Sequence, residues 1–261
     1  MDVAPYLQRI GDRGSLEPTL ETLRRLHLAH LRTVPFENLD ISLGRPIDLS
    51  LPALFGKIVT RRRGGFCYEL NGLFCSLLRE LGFRLDLLSG RVFGQRGLGP
   101  EHDHALLLVH LEESFIADVG FGDSFLTPVP LSTDAHVEGD RAYRFVETDG
   151  HRDLQQRTDG DWASQVRFTL EPRELDDFAA TCRHHQTSPE STFTRKSTCS
   201  RATETGRVTY SDGRLIVTEG GERTETALAD ADAVRSALKE HFGVVLPGDT
   251  DHARLFPKAT T

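Results

Sequence analysis

The hydrophobic period of this chain changes at Gly82, and that change fixes the order in which its parts are built. Before it, Leu70, Phe74, Leu77, Leu78 and Leu81 recur at spacings of 4, 3, 1 and 3. That spacing predicts a helix over 67–81, with Gly82 as the stop just beyond it. After it, 85–93, 104–111 and 114–119 are short runs rich in Leu, Val and Phe, bounded by Gly, Pro and Asp as strands are. Asp149-Gly150 separates two further runs, 142–148 and 151–157, and reads as a type I′ hairpin turn. With 162–170, the middle third becomes an antiparallel sheet or small barrel.

The same reading extends to both flanks. Leu20, Leu23, Leu26 and His27 give a helix opening near Glu17-Pro18-Thr19, ending near Arg32 and stopped by Pro35. A shorter helix is expected over 51–59. Beyond the sheet, Glu171-Pro172 reads as the start of a helix with Leu175, Phe178, Ala179 and Cys182 on one face, and 183–191 as a polar connection. Strands over 207–210 and 215–218 flank Asp212-Gly213, another is expected near 224–228, and a helix over 231–242 ends at Gly243. The order is α, then β, then a small α/β unit.

Composition narrows the function classes. The 261 residues are 38% hydrophobic and 27% charged, the balance of a globular chain rather than a disordered, collagen-like or coiled-coil one. No stretch approaches the roughly 20 apolar residues of a membrane span, and the N-terminus lacks the layout of a signal peptide. A net charge of −8 makes nucleic acid and anionic membranes unexpected partners. A cytoplasmic setting is expected. Four cysteines are too few for a disulfide framework in a chain this long. On one helix Cys67 and Cys75 stand about 12 Å apart, too far to bridge, so the cysteines read as free thiols.

One of them is placed for chemistry. Arg63-Gly64-Gly65-Phe66-Cys67 sets a cysteine after a glycine pair and at the start of the strongest helix. A helix N-terminus offers about half a positive charge and unpaired N–H groups, which favour a thiolate. The glycines allow a close backbone approach, and nearby N–H groups could serve as an oxyanion hole. The plainer alternative is a small apolar residue at a helix start. A nucleophile also needs a base and an orienter. His104 opens the buried run Ala105-Leu106-Leu107-Leu108-Val109, and Asp118 lies between Phe115-Ile116-Ala117 and Val119-Gly120-Phe121-Gly122. A carboxylate there is costly to bury unless paired, and His104 on a neighbouring strand could be its partner. An ordinary turn aspartate is the alternative. His102 and His104, two apart, would share a strand face and raise a weak metal reading. His184-His185 reads as a solvated helix end, Cys75 as core packing, and Cys182 and Cys199 as unreactive.

These segments resemble the arylamine N-acetyltransferases. The likeness lies in Arg63-Gly64-Gly65-Phe66-Cys67-Tyr68-Glu69-Leu70-Asn71, Val34-Pro35-Phe36-Glu37-Asn38-Leu39-Asp40, His104 before its apolar run, and Asp118-Val119-Gly120-Phe121-Gly122. Tyr6-Leu7-Gln8-Arg9-Ile10-Gly11 is similar too. The strong motifs span residues 6 to 122. The resemblance implies an α+β fold around a cysteine-protease-like catalytic core, in three parts. These are an N-terminal helical bundle carrying the nucleophilic cysteine (1–82), an antiparallel β-barrel carrying the histidine and aspartate and ending in an interdomain helix (83–186), and an α/β lid (187–261).

It also implies ping-pong acetyl transfer. Acetyl-CoA would acylate Cys67, and a small arylamine, arylhydrazine or arylhydroxylamine would accept the acetyl group. His104 would be the base and Asp118 its orienter. Phe36, Tyr68, Phe121 and Phe193 would form the aromatic substrate wall, and Gly122 and Asp103 would lie at the CoA end, with no metal. Arg195-Lys196 is a candidate for the cofactor's phosphates, with an ordinary solvated pair as the alternative. A homo-oligomer is allowed. Glu37 and Arg63 are expected to form an ion pair that holds Gly64-Gly65. The rivals are a macrolactam-forming amide synthase of the same superfamily, a cysteine hydrolase with the same triad, and a non-catalytic metal or acyl-CoA binding protein using His102 and His104.

Overall fold

The computed structural model describes residues 1–131 and 135–256; the last residues of the expected third part, 257–261, lie outside them. The first third holds α1 (Val3–Ile10), α2 (Leu20–Thr33), the two-residue strand β1 (Phe36–Glu37), α3 (Leu39–Ser42), α4 (Leu51–Phe55) and α5 (Cys67–Glu80). Thr19 caps α2 by accepting the Thr22 N–H at 3.3 Å. The helix expected over 51–59 is α4 followed by a wider π-type turn, Gly56–Thr60. α5 follows its apolar stripe: Leu70, Leu73, Phe74, Leu77 and Leu78 are fully buried with Tyr6 of α1 and Leu23 and Leu26 of α2. Gly82 takes the left-handed conformation that stops the helix, at φ +85°. No described helix is long and apolar enough to cross a membrane.

From Arg84 the chain forms β2 (Arg84–Gly94), β3 (Gly97–Leu98), β4 (His104–His110), β5 (Ser114–Ala117), β6 (Val129–Pro130), β7 (His136–Glu138), β8 (Arg141–Thr148), β9 (His151–Arg157) and β10 (Ala163–Arg173). The sheet runs β6-β5-β4-β2-β10-β9-β8-β7, antiparallel throughout its described pairs, with β3 paired beside β2. Glu138 on β7 accepts the Leu126 and Thr127 N–H groups, each at 2.7 Å, which draws the two edges together into a nearly closed barrel. β4 is apolar throughout its middle because both faces are covered. Ala105, Leu107 and Val109 join the helical core, while Leu106 and Leu108 join the barrel interior with Phe125, Tyr143 and Phe168. The β8–β9 turn has the expected chemistry, with Asp149 at φ +49° and Gly150 at φ +75°.

One expected helix start is corrected. Glu171 and Pro172 belong to β10, where Pro172 pairs with Leu88 across a register shift in the β2 ladder. Proline lacks the ladder donor and is tolerated at such an irregularity. The helical backbone begins instead with a 3₁₀ turn, Leu175–Phe178, and continues as α6 (Ala179–Thr187). Its last turn therefore covers residues expected to be a loose connection.

The remainder contributes α7 (Thr192–Arg195), β11 (Thr198–Ala202), β12 (Gly206–Ser211), β13 (Arg214–Glu219), β14 (Glu222–Ala227) and α8 (Ala231–Phe242). Asp230 caps α8 and Gly243 ends it at φ +65°. Val234, Leu238 and Phe242 of α8 pack on Val208 and Tyr210 of the sheet and on Leu39 of α3 and Leu43 just after it. This second sheet runs β1-β11-β12-β13-β14. Its edge strand β1 comes from the first third: Phe36 pairs with Ser200 and Glu37 with Cys199.

Candidate active site

The backbone explains why the two N-terminal motifs occur together. The Glu37 N–H donates to the Gly65 carbonyl at 2.8 Å, and a Cβ on Gly64 would lie 1.9 Å from the Pro35 carbonyl oxygen. Only glycine fits between the two segments. The close approach the glycines allow is thus to 35–37, not to a ligand. Arg63 then pairs with Glu37 at 2.7 Å, the expected ion pair, and reaches Asp40 at 3.0 Å. Lys57 bridges Asp40 and Glu69, each at 2.8 Å. Glu69 closes the chain by accepting the Phe66 N–H at 3.2 Å, just ahead of Cys67.

Burial opposes every charge in this network. Its cations hold Asp40 below the ordinary carboxylate range all the same, and its carboxylates hold Lys57 above the ordinary ammonium range. For Glu69, fully buried, desolvation outweighs Lys57 and the carboxyl is pushed up.

Cys67 opens α5 and is 3% exposed. The loop after β5 packs against it: a Cβ on Gly120 would lie 2.7 Å from the Cys67 Cα. His104, the first residue of β4, donates from Nε2 to Asp118 Oδ2 at 2.6 Å, and both are buried. Burial would lower the histidine's pKa, but Asp118 raises it, and a hydrogen bond with the Cys67 side chain adds to the raise. Asp118 is held low by His104, Asn71 and the Gly120 N–H against the opposing effect of burial. The structure therefore brings Cys67, His104 and Asp118 together from three elements.

Two further residues fix Asp118, and sequence reasoning gave neither a role. Asn71 lies one helical turn after Cys67. Its Nδ2 donates to Asp118 Oδ1 at 2.8 Å and to the Ala105 carbonyl at 2.7 Å, and its Oδ1 accepts the Val119 N–H at 2.9 Å. The spacing of four from Cys67 is the one signal that could have marked it. His27 accepts the Asp118 N–H through Nε2 at 3.1 Å and donates from Nδ1 to the Leu126 carbonyl at 2.8 Å. Burial pushes its pKa below the ordinary histidine value, as a neutral ring with this bonding requires.

A cavity of about 190 Å³ opens on Cys67 and His104. Phe36, Val92, Phe121 and Phe193 give it an apolar wall, and Asp103, His185 and Thr192 a polar one. An apolar cavity of roughly 150 Å³ holds a benzene ring, so this one has room for a single aromatic ring. Three of the four residues expected to form an aromatic wall, Phe36, Phe121 and Phe193, therefore line one cavity. Tyr68 does not line the cavity. It is fully buried, donates to the His102 and Asp103 carbonyls at 2.8 and 3.1 Å, and stacks behind His185. Gly122, at φ +93°, stands beside the Phe36 ring.

Two histidine expectations are overturned. His185 is no solvated helix end: it is 8% exposed, because the extra turn of α6 seats its ring between Tyr68 and Phe193. His102 sits at φ +62° in the turn before β4, its ring against Phe178, so it shares no strand face with His104. Among the described residues no three metal-ligating groups cluster. All four cysteines are free, and Cys75 packs in the core, where burial pushes its thiol up to about 11.

A family model described as N-acetyltransferase matches residues 19–250. An arylamine N-acetyltransferase of Mycolicibacterium smegmatis is 38% identical over 256 residues, covering 94% of this chain and 93% of its own. A solved M. smegmatis arylamine N-acetyl transferase superposes with a TM-score of 0.91 at 35% identity, over 98% of this chain and 97% of that one. The Mycobacterium marinum arylamine N-acetyltransferase, solved in complex with CoA, superposes with a TM-score of 0.89 at 32% identity, over 97% of each chain.

Proposed function

The chain belongs to the arylamine N-acetyltransferase family, and on that premise we propose that Cys67 carries an acetyl group from acetyl-CoA to an arylamine, arylhydrazine or arylhydroxylamine. The observation that carries this reading is the Cys67–His104–Asp118 constellation at the floor of a ring-sized cavity. His104 is kept protonated by Asp118, so the resting site holds an imidazolium beside the sulfur, and the first turn of α5 adds its N–H groups and dipole.

Acylation begins when the Cys67 thiolate attacks the thioester carbonyl of acetyl-CoA. The carbon–sulfur bond to CoA breaks, and the departing thiolate takes the His104 proton. The acetyl group then waits on Cys67. An amine attacks its carbonyl, the nitrogen gives a proton to His104, and Cys67 leaves as the thiolate. Asp118 orients the imidazole in both directions. Phe36, Phe121 and Phe193 hold the ring of the acceptor, and burying such a ring favours anilines over aliphatic amines of similar basicity.

Room for the donor lies next to this cavity. The segment that lines it at Gly120 and Phe121 runs on through Gly122 to Asp123 and Ser124, which line a cleft of about 650 Å³ with Arg32, Arg141 and Arg207. At the C-terminal end of α7, Arg195, Lys196 and Arg254 line another cavity of about 200 Å³. These side chains offer positive charge for CoA phosphates in a chain of net charge −8, with Arg141 and Arg207 already paired to Asp123.

Intact-protein mass spectrometry tests the reading. With acetyl-CoA and no amine, the protein should gain one acetyl group on Cys67 and release CoA in a burst, and an arylamine should discharge the adduct with ping-pong kinetics. No adduct, with sequential kinetics, would sink it. An adduct discharged as fast by water as by any amine would make the protein a hydrolase.

A further inference from the structure

The cavity contains a second histidine–carboxylate pair that the acetyl-transfer steps above leave unused. His185 Nε2 lies 3.1 Å from Asp103 Oδ1, yet the two lack the alignment of a hydrogen bond, and Nε2 is a buried atom with no bonding partner among the described residues. The other ring nitrogen is occupied, with Nδ1 3.2 Å from the Ser191 hydroxyl. The ring cannot easily turn to improve its aim, since Tyr68 stacks on one side and Phe193 meets it edge-on. Asp103 is also loosely held: its Oδ2 accepts the Val92 N–H at the long distance of 3.4 Å. Buried polar groups are normally satisfied, and one that is not, in the wall of a cavity beside a nucleophile, is a group a ligand can satisfy.

We propose that Asp103, backed by His185, receives an N–H of the incoming amine and so aims its lone pair at the acetyl carbon on Cys67. The inference rests on the acyl-transfer reading above. A primary arylamine has two N–H bonds and one lone pair, and this cavity then has a partner for each. The lone pair meets the carbonyl carbon, one N–H faces His104, and the other donates to Asp103. As the nitrogen–carbon bond forms and the carbon–sulfur bond breaks, the first proton passes to His104 and the second stays on nitrogen. His185, 3.1 Å from Asp103 Oδ1 and wedged between Tyr68 and Phe193, stands behind the carboxylate and limits how far it can turn away from the acceptor.

A pair of acceptors with the same ring separates this role from simple packing. Acetyl-enzyme is prepared with acetyl-CoA, desalted, and mixed with aniline or with thiophenol, which has no N–H. Asp103→Asn should slow aniline discharge on the order of 10- to 100-fold and leave thiophenol discharge within about threefold of wild type. His185→Phe, which keeps the aromatic packing, should lower the aniline rate by a smaller factor in the same selective way. Equal loss with both acceptors in both variants would reduce the pair to a structural role and overturn the proposal, as would unchanged aniline rates. If Asp103→Asn fails to fold, the His185→Phe ratio decides alone. Absence of any acetyl-enzyme in the wild type would instead reject the acyl-transfer reading.

Discussion

On one side of the α5 N-terminus, Glu37, Asp40, Lys57, Arg63 and Glu69 form a buried ionic network in which each charge meets an opposite one within 3.0 Å. On the other side, His104, Asp118, Asn71 and His27 form a second buried network, equally well bonded except at one end. That end is the His104–Cys67 contact, which faces the cavity. The two differ in closure rather than in polarity. The closed network spends its charges on holding Gly64, Gly65 and the first turn of α5. The open one leaves an imidazolium and a sulfur available to a ligand. Burial of charge is thus a means of placement in one and of reactivity in the other.

The strongest test of that contrast is to remove the open end. Cys67→Ser should lower acetyl transfer by at least about 1,000-fold, because a hydroxyl is far less acidic than a thiol, while melting temperature barely moves. A transfer-competent serine variant would place the nucleophile elsewhere.

Asp118→Asn comes next, with a loss of roughly 100- to 10,000-fold in turnover measured as CoA release. Here stability also reports on the pair. His104 is raised above its unfolded value of about 6.5, so its contribution is complete below that pH and fades as pH rises toward the raised value. Asp118 is lowered, so its contribution is complete above about 4 and fades only in acid. The stability gap between wild type and Asp118→Asn should therefore be widest between about pH 4 and 6.5 and narrow as pH rises from there to about 10. A gap that widens with alkalinity would remove the ion pair.

The closed network should answer in stability first. Arg63→Ala strands buried Glu37 and should cost about 3–5 kcal/mol in urea unfolding, with an activity loss under about tenfold in the folded fraction. An unchanged melting temperature would show that the network does not hold the glycine pair. The smallest effect belongs to Cys75→Ser, a thiol on the same helix with no imidazolium beside it. It should lose about 1 kcal/mol of stability and keep most of its activity in the same CoA-release assay.

How much of this was legible depended on range. α5 and α8 could be read because an apolar stripe, an N-terminal position and a terminal glycine are all local signals. Cys67, His104 and Asp118 stood out for the same reason, each lying at the start or end of an apolar run. Pro172 misled because its place in β10 depends on a register shift against Leu88, which no neighbouring residue announces. His185 was missed because its meaning lies in Asp103, Tyr68 and Phe193, all distant in sequence or on another element. The strand β1 was invisible as well: two residues carry no period, and its partner β11 is a polar stretch far along the chain.

That β1–β11 pairing has a consequence for when the enzyme becomes competent. Phe36 and Ser200 are partners, so their contact closes a loop of 200 − 36 = 164 residues. Closure of so long a loop is entropically unfavourable until other contacts reward it, and contacts of high sequence separation form slowly. A nascent chain emerging from the ribosome holds α5 and its cysteine long before β11 and Phe193 are synthesised. Phe193, which completes the aromatic wall of the cavity, therefore joins the site well after the segment that bears the thiol has been made.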